Sequence, residues 1–128
     1  MKIRGADFIL YQVSDIARAA RFYREVLGLP QEMYNAEWQW AEFNCGNVTL
    51  SLLGGRKLPK RITGARLALA VKDVCAAHAE LKRKRVRVLK APQDYSVCQA
   101  MEIADPDGNV VILHQRADGT CGQNVRRR

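Results

Sequence analysis

The stretch FILYQVSD, residues 8–15, is answered later in the chain by RLALAVKD, residues 66–73. Each is a short apolar run that closes on Val-x-Asp. Each is followed by apolar residues at helical spacing. A strand that hands over to Asp at a helix start is a strong local signature, because the carboxylate accepts one of the unpaired backbone N–H groups there. Its recurrence within one short chain points to a duplicated structural unit.

In the first copy the strand runs over about residues 7–13, and Ser14 or Asp15 caps the helix. Ile16, Ala19, Ala20, Tyr23 and Leu27 then form an apolar stripe. Gly28 reads as the left-handed residue that ends the helix, and Pro30 prevents its continuation. Three strands are expected next: residues 31–34, EWQWAEFN at 37–44, and NVTLSLLG at 47–54, the last two joined by a turn at 45–47. GGRKLPKRITG at 54–64 reads as a linker.

The second copy repeats the order. Asp73 caps a helix with Val74, Ala77, His78 and Leu81 on its stripe, and Cys75 is expected as a small core residue. The helix ends in KRKR, favourable at the negative end of the helix dipole. Strands are expected at VRVLK (86–90), VCQAMEIA (97–104) and NVVILHQ (109–115), with the turn DPDG before the last. This turn has Pro at its second position and Gly at its fourth, a type I composition. The chain therefore reads as α+β, two βαβββ modules at residues 6–55 and 64–116 in one domain (1–116). A basic flexible tail follows at 117–128.

Composition fits a globular protein: 128 residues, 48% hydrophobic and 27% charged. No window is apolar enough to cross a bilayer, and no secretory leader is evident, so a cytoplasmic protein is expected. Cys45, Cys75, Cys98 and Cys121 lack metal-binding spacing and are expected as free thiols. The net charge of +8 favours anionic partners at long range. KLPKR, KRKRVR and the terminal VRRR nonetheless read as solvated faces and helix ends, and no nucleic-acid or membrane partner is expected.

VSDIARAARFYREVLGLP at 13–30, followed far downstream by DPDGNVVIL at 105–113, resembles the vicinal oxygen chelate superfamily. That group comprises glyoxalase I, extradiol dioxygenases, fosfomycin-resistance enzymes and bleomycin-resistance proteins. The resemblance covers about residues 6–116. It implies eight strands in a cupped mixed sheet around a cavity, and members commonly dimerise, so a homodimer is expected.

Metal-dependent members take one ligand, His, Gln or Glu, from each of four strand positions. By the resemblance these are Phe8, Ser51, Arg66 and Ile112 in this chain. Phe8 and Ile112 carry no donor atom, Arg66 is a fixed cation, and Ser51 is a poor lone ligand. Neither a metal nor another cofactor is expected, and no catalytic residue can be assigned.

Strand alternation then lists the residues expected around the cavity. Phe8, Leu10 and Gln12 share one face of the first strand. Arg66, Ala68 and Ala70 share that of the second copy. Trp38, Trp40 and Glu42 share a face, as do Thr49, Ser51 and Leu53, and Val110, Ile112 and His114. Phe43 is expected on the opposite face, against the helix. Such a cavity is apolar and aromatic with few polar groups. Arg66 has three open fates: pairing with Glu42, engaging an anionic or carbonyl ligand, or simple solvation. The expected function is metal-free binding of a small, planar, neutral or anionic molecule. The alternative is a diverged lyase, isomerase or dioxygenase.

Overall fold

The computed structural model describes residues 2, 4, 7–55, 57 and 65–122. KLPKR, apart from Lys57, and VRRR lie outside them. The chain divides into two compact units, Met1–Thr63 and Gly64–Arg128.

The first unit contains β1 (Phe8–Gln12), α1 (Ile16–Arg21), β2 (Gln31–Asn35), β3 (Trp40–Asn44) and β4 (Thr49–Leu53). Its strands form one sheet in the order β1-β4-β3-β2. β1 and β4 pair in parallel, while β4–β3 and β3–β2 are antiparallel. Asp15 caps α1 by accepting the Arg18 backbone N–H at 3.0 Å. The helix widens beyond Arg21 into a π-helical turn, Phe22–Val26, where Leu27 N–H reaches the Phe22 carbonyl. The sequence pattern reads this stretch as plain α-helix. Gly28 ends it at φ +71°, and Leu29 N–H returns to the Tyr23 carbonyl at 3.0 Å.

One sheet face packs on this helix. Tyr11, Val13, Ala41, Phe43, Leu50 and Leu52 from the sheet are buried with Ile16, Ala19, Ala20 and Tyr23. Phe43 lies against Tyr23 with ring centroids 5.9 Å apart, on the side its alternation assigns. Burying its side chain contributes about 2–3 kcal/mol. Gly54 lets the end of β4 approach α1: a Cβ there would sit 2.9 Å from the Ile16 Cβ.

The second unit repeats the order with β5 (Leu67–Ala70), α2 (Val74–Arg83), β6 (Val88–Asp94), β7 (Cys98–Ala104) and β8 (Val110–Arg116). The sheet order is β5-β8-β7-β6, again parallel at the first pair and antiparallel at the others. Asp73 caps α2 through the Ala76 N–H, and the Gln115 side chain accepts the Val74 N–H. Leu67, Val74, Leu81, Met101, Ile103, Val111 and Leu113 are buried. The expected fold class is therefore present: two βαβββ modules, each with a four-stranded mixed sheet.

Two local readings are corrected. EWQWAEFN is not one strand. Residues 36–39 form a turn in which Asn35 Oδ1 accepts the Trp38 N–H and Gln39 sits at φ +54°. Cys75 is exposed, because Val74, Ala77, His78 and Leu81 set the phase of α2 and leave position 75 outside the stripe. The segment from Ala117 to Gly122 begins with hydrogen bonds: Ala117 N–H to the Val97 carbonyl, and Arg116 to Thr120 Oγ1 and the Gly122 carbonyl.

The DPDGN turn is a structural lock. Asp105 and Asn109 are buried, and the Asp105 carboxylate accepts from the Asp107 N–H, the Asn109 N–H and Asn109 Nδ2 at 2.8–2.9 Å.

Candidate functional site

In the first unit the sheet face turned away from α1 carries Phe8, Leu10 and Gln12 on β1, Thr49, Ser51 and Leu53 on β4, and Trp40 and Glu42 on β3. Register places Leu10, Ser51, Glu42 and Met33 in one row across the four strands. Phe8 and Trp40 meet edge-on, with centroids 6.2 Å apart and planes at 84°. Phe8 pairs with Thr49 and Trp40 pairs with Leu53, so this contact crosses β4 at Ser51. Ser51 is fully buried, and its Oγ has no hydrogen-bond partner among the described residues.

Trp40 Nε1 donates to Glu42 Oε2 at 2.8 Å, which fixes the indole and one carboxylate oxygen together. Met33, Trp38, Trp40 and Glu42 line a pocket of about 290 Å³. Trp38 reaches it from the 36–39 turn and not from the strand, and it is 64% exposed. Met33 was missed by sequence reasoning. Its signal is the β2–β3 register, which places it opposite Glu42.

In the second unit the corresponding face carries Ala68 and Ala70 on β5, Ile112 and His114 on β8, and Ala100 and Glu102 on β7. Ala68, Ile112, Glu102 and Lys90 form the row that matches Leu10, Ser51, Glu42 and Met33. Arg66 Nη1 donates to Glu102 Oε1 at 2.7 Å. Pairing is thus found for Arg66, but with Glu102 of its own unit. Glu42, the partner considered from sequence, is engaged by Trp40. His114 lies between Ala70 and Ala100, small neighbours that leave it half-buried. Of the sequence-assigned residues, Trp38, Trp40 and Glu42 come together in one pocket. Phe8, Leu10 and Ser51 adjoin it across the sheet, Gln12 lies at the end of β1, and Arg66, Ala68, Ile112 and His114 belong to the second unit.

The resemblance puts the family's four metal positions at Phe8, Ser51, Arg66 and Ile112, and these four side chains do not make a metal donor set. Phe8 is an aromatic ring against Trp40, and Ser51 lies beneath that contact. Arg66 is a cation already paired with Glu102, and Ile112 has no donor. No cluster of three or more His, Cys, Asp or Glu suited to a metal occurs among the described residues. No chemistry routed through a metal follows from this donor set.

Burial moves one thiol. Cys45, half-buried beside β4, is pushed above its ordinary value by desolvation, against a smaller opposing effect of a backbone hydrogen bond with Leu50. No helix among the described residues is long and apolar enough to cross a membrane.

Two βαβββ modules, each with a four-stranded mixed sheet, define the class of fold. Comparison with protein-family models places residues 5–113 in the Glyoxalase/Bleomycin resistance protein/Dioxygenase superfamily, and the chain belongs to that family. It is 28% identical over 118 residues to the metallothiol transferase FosB of Staphylococcus epidermidis, covering 88% of this chain and 84% of that one. Among solved structures it resembles SMU.1112c, with a TM-score of 0.75, 26% identity, and coverage of 88% of this chain and 99% of that one. It also shares the fold of lactoylglutathione lyase from Agrobacterium tumefaciens: TM-score 0.73, 18% identity, 90% and 96% coverage.

Proposed function

We infer that this chain is a metal-free binding protein that holds a small planar molecule on the aromatic face of its first module. The observation that carries the reading is the pocket formed by Met33, Trp38, Trp40 and Glu42, of a size for one or two fused rings. Indole faces supply stacking area with little conformational entropy to lose, and Met33 adapts to the shape of the guest. The Phe8–Trp40 contact continues the apolar surface over Ser51.

The net charge of the chain favours an uncharged or anionic guest at long range. At contact distance the Glu42 carboxylate opposes an anion. Members of the family commonly bind small molecules and form dimers, and a homodimer is part of this reading. The four free cysteines support a reducing, cytoplasmic setting.

The similarity to a metallothiol transferase favours the second reading, a diverged enzyme of the family. One experiment separates the two: metal analysis of the purified protein, with a thermal-shift screen of planar aromatic compounds on wild type and Trp38→Ala. Binding reads as a rise in melting temperature that the substitution abolishes. Stoichiometric bound nickel, zinc, iron or manganese would sink the metal-free reading in favour of the enzyme.

A further inference from the structure

Residues 82–95 read KRKRVRVLKAPQDY, six cations against one carboxylate. They carry the chain from the last turn of α2 through β6 to the turn before β7. Lys82, Arg83, Lys84, Arg85, Arg87 and Lys90 are all exposed. Lys84 is engaged with Glu80 at 3.6 Å, and Lys90 Nζ lies 5.6 Å from the Tyr95 ring centroid. Lys82, Arg83, Arg85 and Arg87 form no ion pair among the described residues.

The helix dipole accounts for only part of this run. Cations suit the negative end of α2, but the effect fades within the last turn, which holds Lys82 and Arg83. Arg85 lies past it, in the left-handed position that closes the helix at φ +57°. Its N–H reaches the Lys82 carbonyl, and the Val86 N–H reaches the Leu81 carbonyl. Glycine takes such a position without strain, and the first module uses it there, with Gly28 at φ +71°. The second module keeps a cation in that place against the preference of the backbone. Arg87 leads into β6, and the order β5-β8-β7-β6 puts that strand at the edge of its sheet. About 20 Å along this edge the chain reaches Tyr95, whose side chain is exposed beside Lys90.

We propose that the end of α2 and the edge of β6 form a docking surface for single-stranded nucleic acid. Arg83, Arg85 and Arg87 meet backbone phosphates, and Tyr95 stacks on a base. Guanidinium forks match pairs of phosphate oxygens, and the net charge of +8 draws a polyanion from a distance. An accessible ring beside a cation suits unpaired bases, whose faces a duplex hides. The same ring favours a nucleic acid over an acidic protein surface. From sequence alone KRKRVR reads as a solvated helix end without such a partner, and the left-handed Arg85 is the residue that departs from that expectation. The surface belongs to the second unit, and the proposal does not rest on the pocket of the first.

The test is fluorescence anisotropy of a labelled oligothymidylate of about 20 nucleotides, titrated with the full chain across a range of salt concentrations. Binding is expected to weaken steeply with salt, and the triple variant Arg83→Gln, Arg85→Gly, Arg87→Gln is expected to lose at least about tenfold at low salt. Its log–log salt slope falls by about 2, the sum of about 0.7 for each lost phosphate contact on a single strand. Tyr95→Ala loses about fivefold at unchanged slope, because stacking releases no counterions. Arg85→Gly alone separates function from folding: its urea midpoint rises while its affinity falls. Arg21→Gln, which removes one exposed charge from α1, leaves binding unchanged. Absence of binding at low salt overturns the proposal. So does full affinity in the triple variant, which would assign the binding to other basic segments of the chain. Equal or tighter binding of a duplex of the same length, of polyglutamate or of phosphatidylserine vesicles also overturns it. None of these outcomes bears on the reading of the Met33, Trp38, Trp40 and Glu42 pocket.

Discussion

Phe8 and Trp40 meet edge-to-face across an intervening strand, and the residue beneath their contact is Ser51. The geometry follows from register. The two rings belong to rows on either side of Ser51, and each leans toward the middle. The resemblance to the vicinal oxygen chelate family assigns two of its metal positions to Phe8 and Ser51. Here one is a ring engaged with Trp40 and the other a hydroxyl covered by it.

The buried hydroxyl gives the first prediction. Ser51 Oγ has no partner among the described residues, so it bears desolvation with nothing in return. Ser51→Ala removes that oxygen from a fully buried site with little change in shape. It is expected to raise stability by about 1 kcal/mol, read as a higher urea midpoint at unchanged slope. A loss of stability would show that the hydroxyl is satisfied in solution.

The Arg66–Glu102 pair is short but wet. The Arg66 side chain is about half exposed and that of Glu102 about a quarter. Solvent screening discounts such a pair heavily. A double-mutant cycle with Arg66→Met and Glu102→Gln is expected to give a coupling below about 1 kcal/mol, smaller still in high salt. A coupling of several kcal/mol would mean that the pair is far better shielded than its exposure indicates.

Asp105 is the opposite case. Its carboxylate is buried and accepts three hydrogen bonds from the two residues that close the turn before β8. Asp105→Ala leaves those donors unpaired and is expected to cost about 3 kcal/mol by denaturant titration. A near-neutral result would contradict the structural role and reopen DPDGN as a functional motif.

The legible parts of this chain were local. Asp15, Asp73, Gly28 and DPDG each act within a few residues of themselves, and all four stand as expected. Alternation also placed Phe43 against the helix. The failures came from competition between local preferences and from contacts distant in sequence. Trp, Gln and Trp in succession read as strand, yet the Asn35 side chain captures the Trp38 N–H and turns the chain. Trp38 still reaches the pocket, by a route that alternation cannot describe. Arg66 and Glu102 are 36 residues apart. Their pairing becomes visible only when β7 and β8 are registered about the DPDG turn, which sets Glu102 opposite Ile112. Met33 needed the same step on β2 and β3.

The last prediction concerns the thiols. Desolvation holds Cys45 above its ordinary value of 9.0, whereas Cys75 and Cys121 are exposed on the surface. Only the thiolate is nucleophilic, and attack also requires access. At pH 8 iodoacetamide is therefore expected to alkylate Cys75 and Cys121 well before Cys45, as read by peptide mass spectrometry over time. The same shift has a stability consequence. A folded-state value above the unfolded one means that the native protein holds this proton longer as pH rises. The contribution is fully present below about pH 9 and is lost as the pH climbs through the folded-state value. Cys45→Ala is expected to flatten that part of the alkaline stability profile, measured by urea midpoints between pH 8 and 10.5. Early labelling of Cys45, or an alkaline profile unaltered by the substitution, would show that its thiol is not held in the desolvated setting beside β4.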